Sequence, residues 1–248
     1  MRINKFIAAS GIVSRRKADE LIKEGKVKVN GEIITTPGYD VGPKDKVKIN
    51  GELLRPKKFE YLIFHKPPGY ITTKSDEKGR KTIYDLLPEE YHHLNPAGRL
   101  DKDSTGLLFL SNDGYLVQKM THPKAHIPKI YLVHAKGKIN SIELQKLVDG
   151  IEIEERKIAY ADVCLIESTN AQTTLQMTLF QGYNRQIRKM LDAVGHPVIS
   201  LKRIAHGNLT LQNLERGKFK VLKPKQVTDL KNYVKKVLAD NNIPFIMQ

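Results

Sequence analysis

The chain has 248 residues, 40% of them apolar, with 42 Lys+Arg against 27 Asp+Glu, a net charge of +15 and a pI near 9.7. That is room for a large domain with a small companion, and the charge favours a polyanionic partner held through its phosphates. One cysteine, Cys164, excludes an internal disulfide framework or thiolate cluster, and nothing reads as a membrane span or signal peptide, so a soluble protein in a reducing, cytoplasmic compartment is expected.

Residues 1–58 hold 14 Lys+Arg against 7 Asp+Glu, so a short block carries nearly half of the excess charge. Ile3, Phe6 and Ile7 have helical spacing, and Gly11 closes that helix. Ser14 suits the N-cap of a second helix that turns Ala18, Leu21 and Ile22 inward and ends at Gly25. "KVKVNGEII" predicts a hairpin around Asn30-Gly31, and "KVKIN" after Asp45 a further strand. Arg15, Arg16 and Lys17 crowd the start of the second helix, where the macrodipole disfavours cations. An anionic visitor would explain them; three solvated charges are the plain alternative. The helix "SRRKADELI", the glycine after it and a valine-rich strand ending in "VNG" resemble the alpha-L RNA-binding module of small-subunit ribosomal protein four and tyrosyl-tRNA synthetases. The resemblance implies RNA contacts from Arg2, Lys5, Arg15, Arg16, Lys17, Lys26 and Lys28. A domain at 1–52 is expected, then the basic linker "LLRPKKFE" at 53–60, then a second domain at 61–248.

The second block alternates strand and helix patterns. "YLIFHKPPGYITT" is a strand broken by Pro67-Pro68-Gly69; "NDGYLVQKM" is a helix capped by Asn112 or Asp113. "IYLVHAKG", "AYADVCLIES" and "QTTLQMTLFQG" read as strands, and "SIELQKLVDG", "NRQIRKMLDAVG" and "QVTDLKNYVKKVLADN" as helices. No repeat or low-complexity run stands out. The class is α+β with a mainly antiparallel sheet. A monomer is expected, because no apolar surface stripe is left over.

The chemistry is concentrated in "GRLDKDSTGLLFL", residues 98–110. Asp101, Asp103, Thr105 and Gly106 match the first half of a calcium loop, but position 12 is Asn112 and an apolar "LFL" replaces later ligands. A phosphoryl-accepting aspartate would need a magnesium-binding partner motif, which is absent. Asp101 as a simple turn cap remains open at this point. The remaining reading is a carboxylate nucleophile at an anomeric carbon, which must stay ionised and gains from an arginine alongside. Tyr131, following Lys129, offers a platform for an unstacked base, or an ordinary core aromatic. In "QGYNRQIRKM", Asn184 is the expected N-cap, Arg185 and Lys189 point outward toward phosphates, and Arg188 sits at the margin of the apolar face, able to reach a cleft or to remain on the surface.

In order, "HKPPG" (65–69), "GRLDKDSTGLLFLSNDG" (98–114), "PKIYLV" (128–133) and "QGYNRQIRKM" (181–190), behind the alpha-L module, resemble the RsuA/RluB/RluE/RluF family of ribosomal-RNA pseudouridine synthases. The resemblance runs to about residue 225 and implies a long mixed, mostly antiparallel sheet around a central cleft. It implies Asp101 as nucleophile, Tyr131 stacked on the target base, and Arg188 paired with Asp101. It also implies Arg99 as an active-site partner and Lys66, Lys129, Asn184 and Gln186 as support, with no metal or cofactor. The expected partner is ribosomal RNA, 23S before 16S, free or in pre-ribosomal particles; a non-catalytic assembly factor is the competing class. Tyr183, where the family often has Arg or Lys, and His65, where Asn is usual, depart from the pattern and bear on substrate choice.

Overall fold

Short amphipathic segments build the N-terminal unit. The structure, a computed structural model, describes residues 1–241; the positions 242–248 of the expected second domain lie outside the described residues. Helix α1 (Ile3–Ala9) buries Ile3 and Ile7, and α2 (Arg15–Lys23) buries Ala18 and Ile22. Ser14 caps α2 by accepting from the Lys17 N–H. Strands β1 (Val27–Val29), β2 (Glu32–Ile33), β3 (Val47–Ile49) and β4 (Glu52–Leu53) form an antiparallel sheet in the order β2-β1-β3-β4. In β1 and β3 the outer residues are buried and the middle one is exposed, as a period of two requires.

That sheet overturns the expectation of no repeat. "KVKVNGEII" (26–34) and "KVKINGELL" (46–54) fold as two copies of one hairpin, with Asn30 and Asn50 at φ 52° and 50° and Gly31 and Gly51 at 98° and 87°. Across β1 and β3, Val27 faces Ile49, Lys28 faces Lys48 and Val29 faces Val47. Lys28 therefore meets its own equivalent and the two flanking pairs exchange, as a local two-fold requires. The repeat is too short to show as a domain-scale period. Its apolar residues join the helices in one core, which leaves Lys26, Lys28, Lys46 and Lys48 exposed around an open concavity.

The expected linker also belongs partly to this unit. Leu54 is buried in its core, the Lys57 N–H donates to the Ala9 carbonyl at 3.0 Å, and the unit extends from Met1 to Phe59.

The second unit, from Glu60, is organised by one nine-stranded sheet. Its strands are β5 (Tyr61–Lys66), β6 (Asn95–Pro96), β7 (Thr105–Ser111), β8 (Lys129–Lys136), β11 (Asp162–Ser168), β12 (Gln172–Leu179), β13 (Val198–His206), β14 (Leu209–Thr210) and β15 (Phe219–Val221). The main order is β11-β12-β8-β13-β7-β5-β15, antiparallel throughout except where β13 runs parallel to β7. A separate hairpin joins β9 (Ile151–Glu154) to β10 (Lys157–Ala159).

Helices cover the sheet because its central strands are apolar on both faces. The six residues of β5 are all buried. On one face α3 (Gly114–Thr121), capped by Asp113, and α6 (Pro224–Asp240) pack on Ile63, Leu107 and Phe109. A second core gathers Tyr131, Val133, Leu175 and Met177 with Ile187, Met190 and Leu191 of α5 (Gln186–Ala193) and Leu147 of α4 (Ser141–Asp149). The α+β class and the mixed, mostly antiparallel sheet hold.

Gly106 decides how β7 meets β13. It has φ +120°, and a Cβ there would lie 2.2 Å from the Arg203 carbonyl oxygen. This glycine permits close backbone approach between parallel strands, which is its use in "DSTGLL". The expectation that no apolar surface remains is corrected at the far edge, where β11 leaves Leu165 and Ile166 46% and 55% exposed. No strand pairs outside β11 among the described residues, none of its seven residues is fully buried, and the register shifts between Leu165 and Glu167, so both neighbouring apolar side chains reach solvent.

Candidate active site

The two proline- and aspartate-bearing loops are tied together through backbone atoms. Lys66, fully buried at the end of β5, donates from Nζ to the carbonyls of Ser104 (2.8 Å), Asp101 (2.9 Å), Pro67 (3.0 Å) and Lys102 (3.3 Å). The Gly69 N–H donates to the Lys102 carbonyl at 2.8 Å. Thr72 clamps Leu100 from both sides, donating to its carbonyl at 3.0 Å and accepting from its N–H at 3.2 Å. The turn closes with the Ser104 N–H on the Asp101 carbonyl at 3.1 Å. The "KPPGYIT" segment thus fixes the backbone on either side of Asp101, and Lys66 supports it from behind the loop. Burial pulls the Lys66 ammonium down to about 8 against the pull of Asp101 and Asp103.

The carboxylate-bearing loop opens onto a cavity of about 340 Å³, large enough for a pyrimidine. Asp101 lies in its wall with Arg99, Lys129, Tyr131, Asn184, Arg185 and Gln186. Arg99, Lys129, Arg185 and Arg203 line the same cavity, in which Asp101 is the one carboxylate. Tyr131 is 8% exposed and pairs with Met177 on one side and Arg203 on the other, so it is held in register by three strands. Lys129, two residues earlier on β8, shares its face. Its Nζ reaches the Ile127 and Gln181 carbonyls at 3.3 and 3.5 Å. Burial, and then Arg203, pull it down to about 8.

The loop from Phe180 to Arg185 forms the other side. Gln186, buried, donates to Gln181 Oε1 at 3.0 Å and accepts from the Tyr183 N–H at 3.2 Å, holding the loop against α5. Phe180 and Tyr183 stand at the cavity 37% and 38% exposed, two aromatic faces open to solvent.

Several expected placements change. Asn184 does not cap α5: Arg185 occupies the N-cap at φ 52° without a side-chain capping bond. The chain turns through a left-handed residue there, which shifts the helix start by one position. Arg185 approaches Asp103 at 3.9 Å. Lys189 is engaged by Glu154 rather than free for phosphate. Arg188 is absent from the cavity wall and forms no ion pair with Asp101; its Nε is buried without a partner. With Ile187, Met190 and Leu191 fixing the buried face of α5, Arg188 stays packed at the margin. His65 lies 3% exposed behind the loop, with Nδ1 at 2.7 Å from the Leu214 carbonyl, outside the cavity wall.

In the N-terminal unit, Arg15, Arg16 and Lys28 are exposed. Lys17 pairs with Glu20 and Lys26 with Glu24, both at 2.7 Å. Arg2 donates to the Gly38 carbonyl and lies 3.9 Å from Asp40, and Lys5 is half-buried on α1. Sequence reasoning missed Ser104, Phe180 and Arg203 in the cavity wall and Lys46 and Lys48 on the lysine face. The "KVK" repetition was a visible signal for the last two. Arg203 had none, because its burial depends on strands distant in sequence.

Comparison with known proteins identifies the family. The S4 domain description matches residues 1–47, and the RNA pseudouridylate synthase description matches residues 60–193. The ribosomal large subunit pseudouridine synthase B of Bacillus subtilis is 42% identical over 232 residues, covering 93% of this chain and 95% of that protein. An uncharacterized RNA pseudouridine synthase of Aquifex aeolicus is 38% identical, covering 93% of each. A crystal structure of a pseudouridylate synthase, 28% identical, superposes with a TM-score of 0.65 over 93% of this chain and 99% of that one. An S4 domain followed by a synthase domain, matched across nearly the whole length, is the RsuA-type arrangement, and the chain belongs to the RNA pseudouridine synthase family.

Proposed function

We propose that this pseudouridine synthase isomerises one uridine of large-subunit ribosomal RNA, with Asp101 as the nucleophile. One observation carries the reading: Asp101 and Tyr131 share a pyrimidine-sized cavity whose other charged residues are all cationic. Likeness to the Bacillus subtilis large-subunit enzyme supports the choice of subunit.

RNA docks by phosphate contacts on the basic surfaces of both units, Arg15, Arg16, Lys28 and Lys48 among them. The target uridine leaves its stack at a cost of a few kcal/mol. Phe180 and Tyr183 receive neighbouring bases at the cavity mouth, and Tyr131 stacks on the uracil within. Asp101 attacks C1′ as the N1–C1′ bond breaks, the detached uracil turns, and C5 rejoins C1′ while the carboxylate leaves. C5 then loses its proton and N1 gains one. The protein works as a monomer in the cytoplasm, on free rRNA or within assembling particles.

The test is incubation with unmodified large- and small-subunit rRNA, followed by carbodiimide mapping. A single new resistant adduct on large-subunit RNA is expected. Modification confined to small-subunit RNA overturns the choice of subunit, and no modification of either overturns the reading.

A further inference from the structure

Buried hydrogen-bonding groups without partners are uncommon in a folded chain, and each calls for a reason. Two of them lie in the wall of this cavity. Arg203 is 2% exposed; its Nε donates to the Leu107 carbonyl at 2.7 Å, and its Nη2 has no partner. Ser104 is 1% exposed, and its Oγ has none either. The other buried orphans, on Asn4, Arg188 and His206, belong to residues outside the cavity wall.

Arg203 is firmly placed, yet its Nη2 has nothing to bind. Its backbone is pressed against Gly106 on β7, and its cross-strand partner on β8 is Tyr131. Among the described residues no carboxylate forms an ion pair with it, and the nearby Lys129 and His206 are themselves basic. A buried guanidinium with no counter-charge is unfavourable relative to solvent. A ligand that brings negative charge to the cavity removes that cost.

We infer that Arg203 Nη2 and Ser104 Oγ, with the Lys129 ammonium beside them, form a donor cradle for the carbonyl oxygens of the target uracil. The inference rests on the isomerase reading above and assigns it further catalytic groups. When the N1–C1′ bond breaks, its electron pair departs with the base, and the negative charge spreads over N1, O2 and O4. The cradle accepts that charge where it develops, as oxyanion sites do, while Asp101 Oδ bonds to C1′. As C5 re-forms the bond to C1′, the Asp101 oxygen leaves with its pair and the charge on the base is discharged. The C5 proton then passes to solvent, and N1 takes one up. The cradle also selects the base. Cytosine carries an amino group in place of O4 and would set N–H against N–H, the mismatch that hydrogen-bonding sites reject most strongly.

The test compares two large-subunit rRNA transcripts, one with uridine and one with 5-fluorouridine at every uridine. Fluorine stabilises the departing anion, so less help is needed from the protein. Single-turnover loss of the N1-linked target nucleoside is read by digestion and chromatography. For Arg203→Gln the uridine rate is expected to fall roughly 100-fold or more with RNA affinity retained, and the deficit to shrink roughly tenfold on the fluorinated transcript. Equal deficits on both transcripts, or a wild-type rate, overturn the cradle. If Arg203→Gln shows no cooperative thermal transition, Ser104→Ala and Lys129→Met carry the same comparison, with the same narrowing expected and equal deficits overturning it. Asp101→Asn runs alongside on both transcripts. Its inactivity supports the isomerase reading, and its activity removes Asp101 from the nucleophile's role without touching the cradle comparison.

Discussion

The lysine face of the N-terminal unit and the cavity of the second unit both concentrate positive charge, in opposite ways. Lys26, Lys28, Lys46 and Lys48 stand in solvent, with Lys28 directly across from Lys48. Water screens them, so their repulsion costs little and their use is long-range attraction for phosphate. Lys129 and Arg203 are withdrawn from water, and the cost shows as a lysine pulled down to about 8 and a guanidinium nitrogen with no partner. Exposed charge gives affinity; buried charge gives chemistry. Substitutions in the two regions should therefore separate cleanly.

The largest separation is expected at Asp101. Asp101→Asn should cut uridine isomerisation by roughly three orders of magnitude or more, with RNA binding unchanged by gel shift. Retained turnover would dissolve the contrast between the regions. Next comes Gly106→Ala, which places a Cβ 2.2 Å from a backbone oxygen. It should cost about 3 kcal/mol or more, measured by denaturant melting. A near-neutral result would show that β7 and β13 are not held at that distance.

Lys129→Met sharpens the comparison through pH. In the folded chain Lys129 titrates at about 8, and an unfolded lysine near its ordinary value of 10.5. Below pH 8 both states are protonated and the cost of burial is fully felt. Between pH 8 and 10.5 the unfolded chain holds the extra proton, so raising pH stabilises the wild type. The variant should then melt higher than wild type at pH 7, and the gap should narrow as pH climbs through that window. A constant gap would place the Lys129 ammonium in solvent. The smallest effect is expected for Lys28→Gln with Lys48→Gln. Melting should not move, while the slope of log affinity against log salt falls by about 1 to 2. An unchanged slope would take this face out of RNA binding.

Much of this molecule could be read locally. Ser14 and Asp113 cap the helices predicted from them, Asn30-Gly31 forms the predicted turn, and Tyr131 lies on the predicted strand. Each depends on a few neighbouring residues, which sequence displays. The start of α5 was misplaced because Arg185 adopts a left-handed conformation with no sequence mark, and Asn184 looked the better cap. The hairpin repeat is visible in the sequence, but "KVKVNGEII" reads as a hairpin and "KVKIN" alone as a strand, which hides the second turn.

The sequence by itself determined the helices, the strands β1, β2, β3, β5, β8, β11 and β12, the order of two domains and the chemical identity of the loop around Asp101. All of these follow from propensity, periodicity and side-chain chemistry within short windows. Tertiary structure alone decided which cations share a cavity with that carboxylate. Arg203 enters the cavity because β13 lies between β7 and β8, pairing with residues about 70 and 100 positions earlier, whereas Arg188 stays outside it because α5 buries its apolar face first. Burial of a charge is a property of the packed whole, and no local pattern can report it.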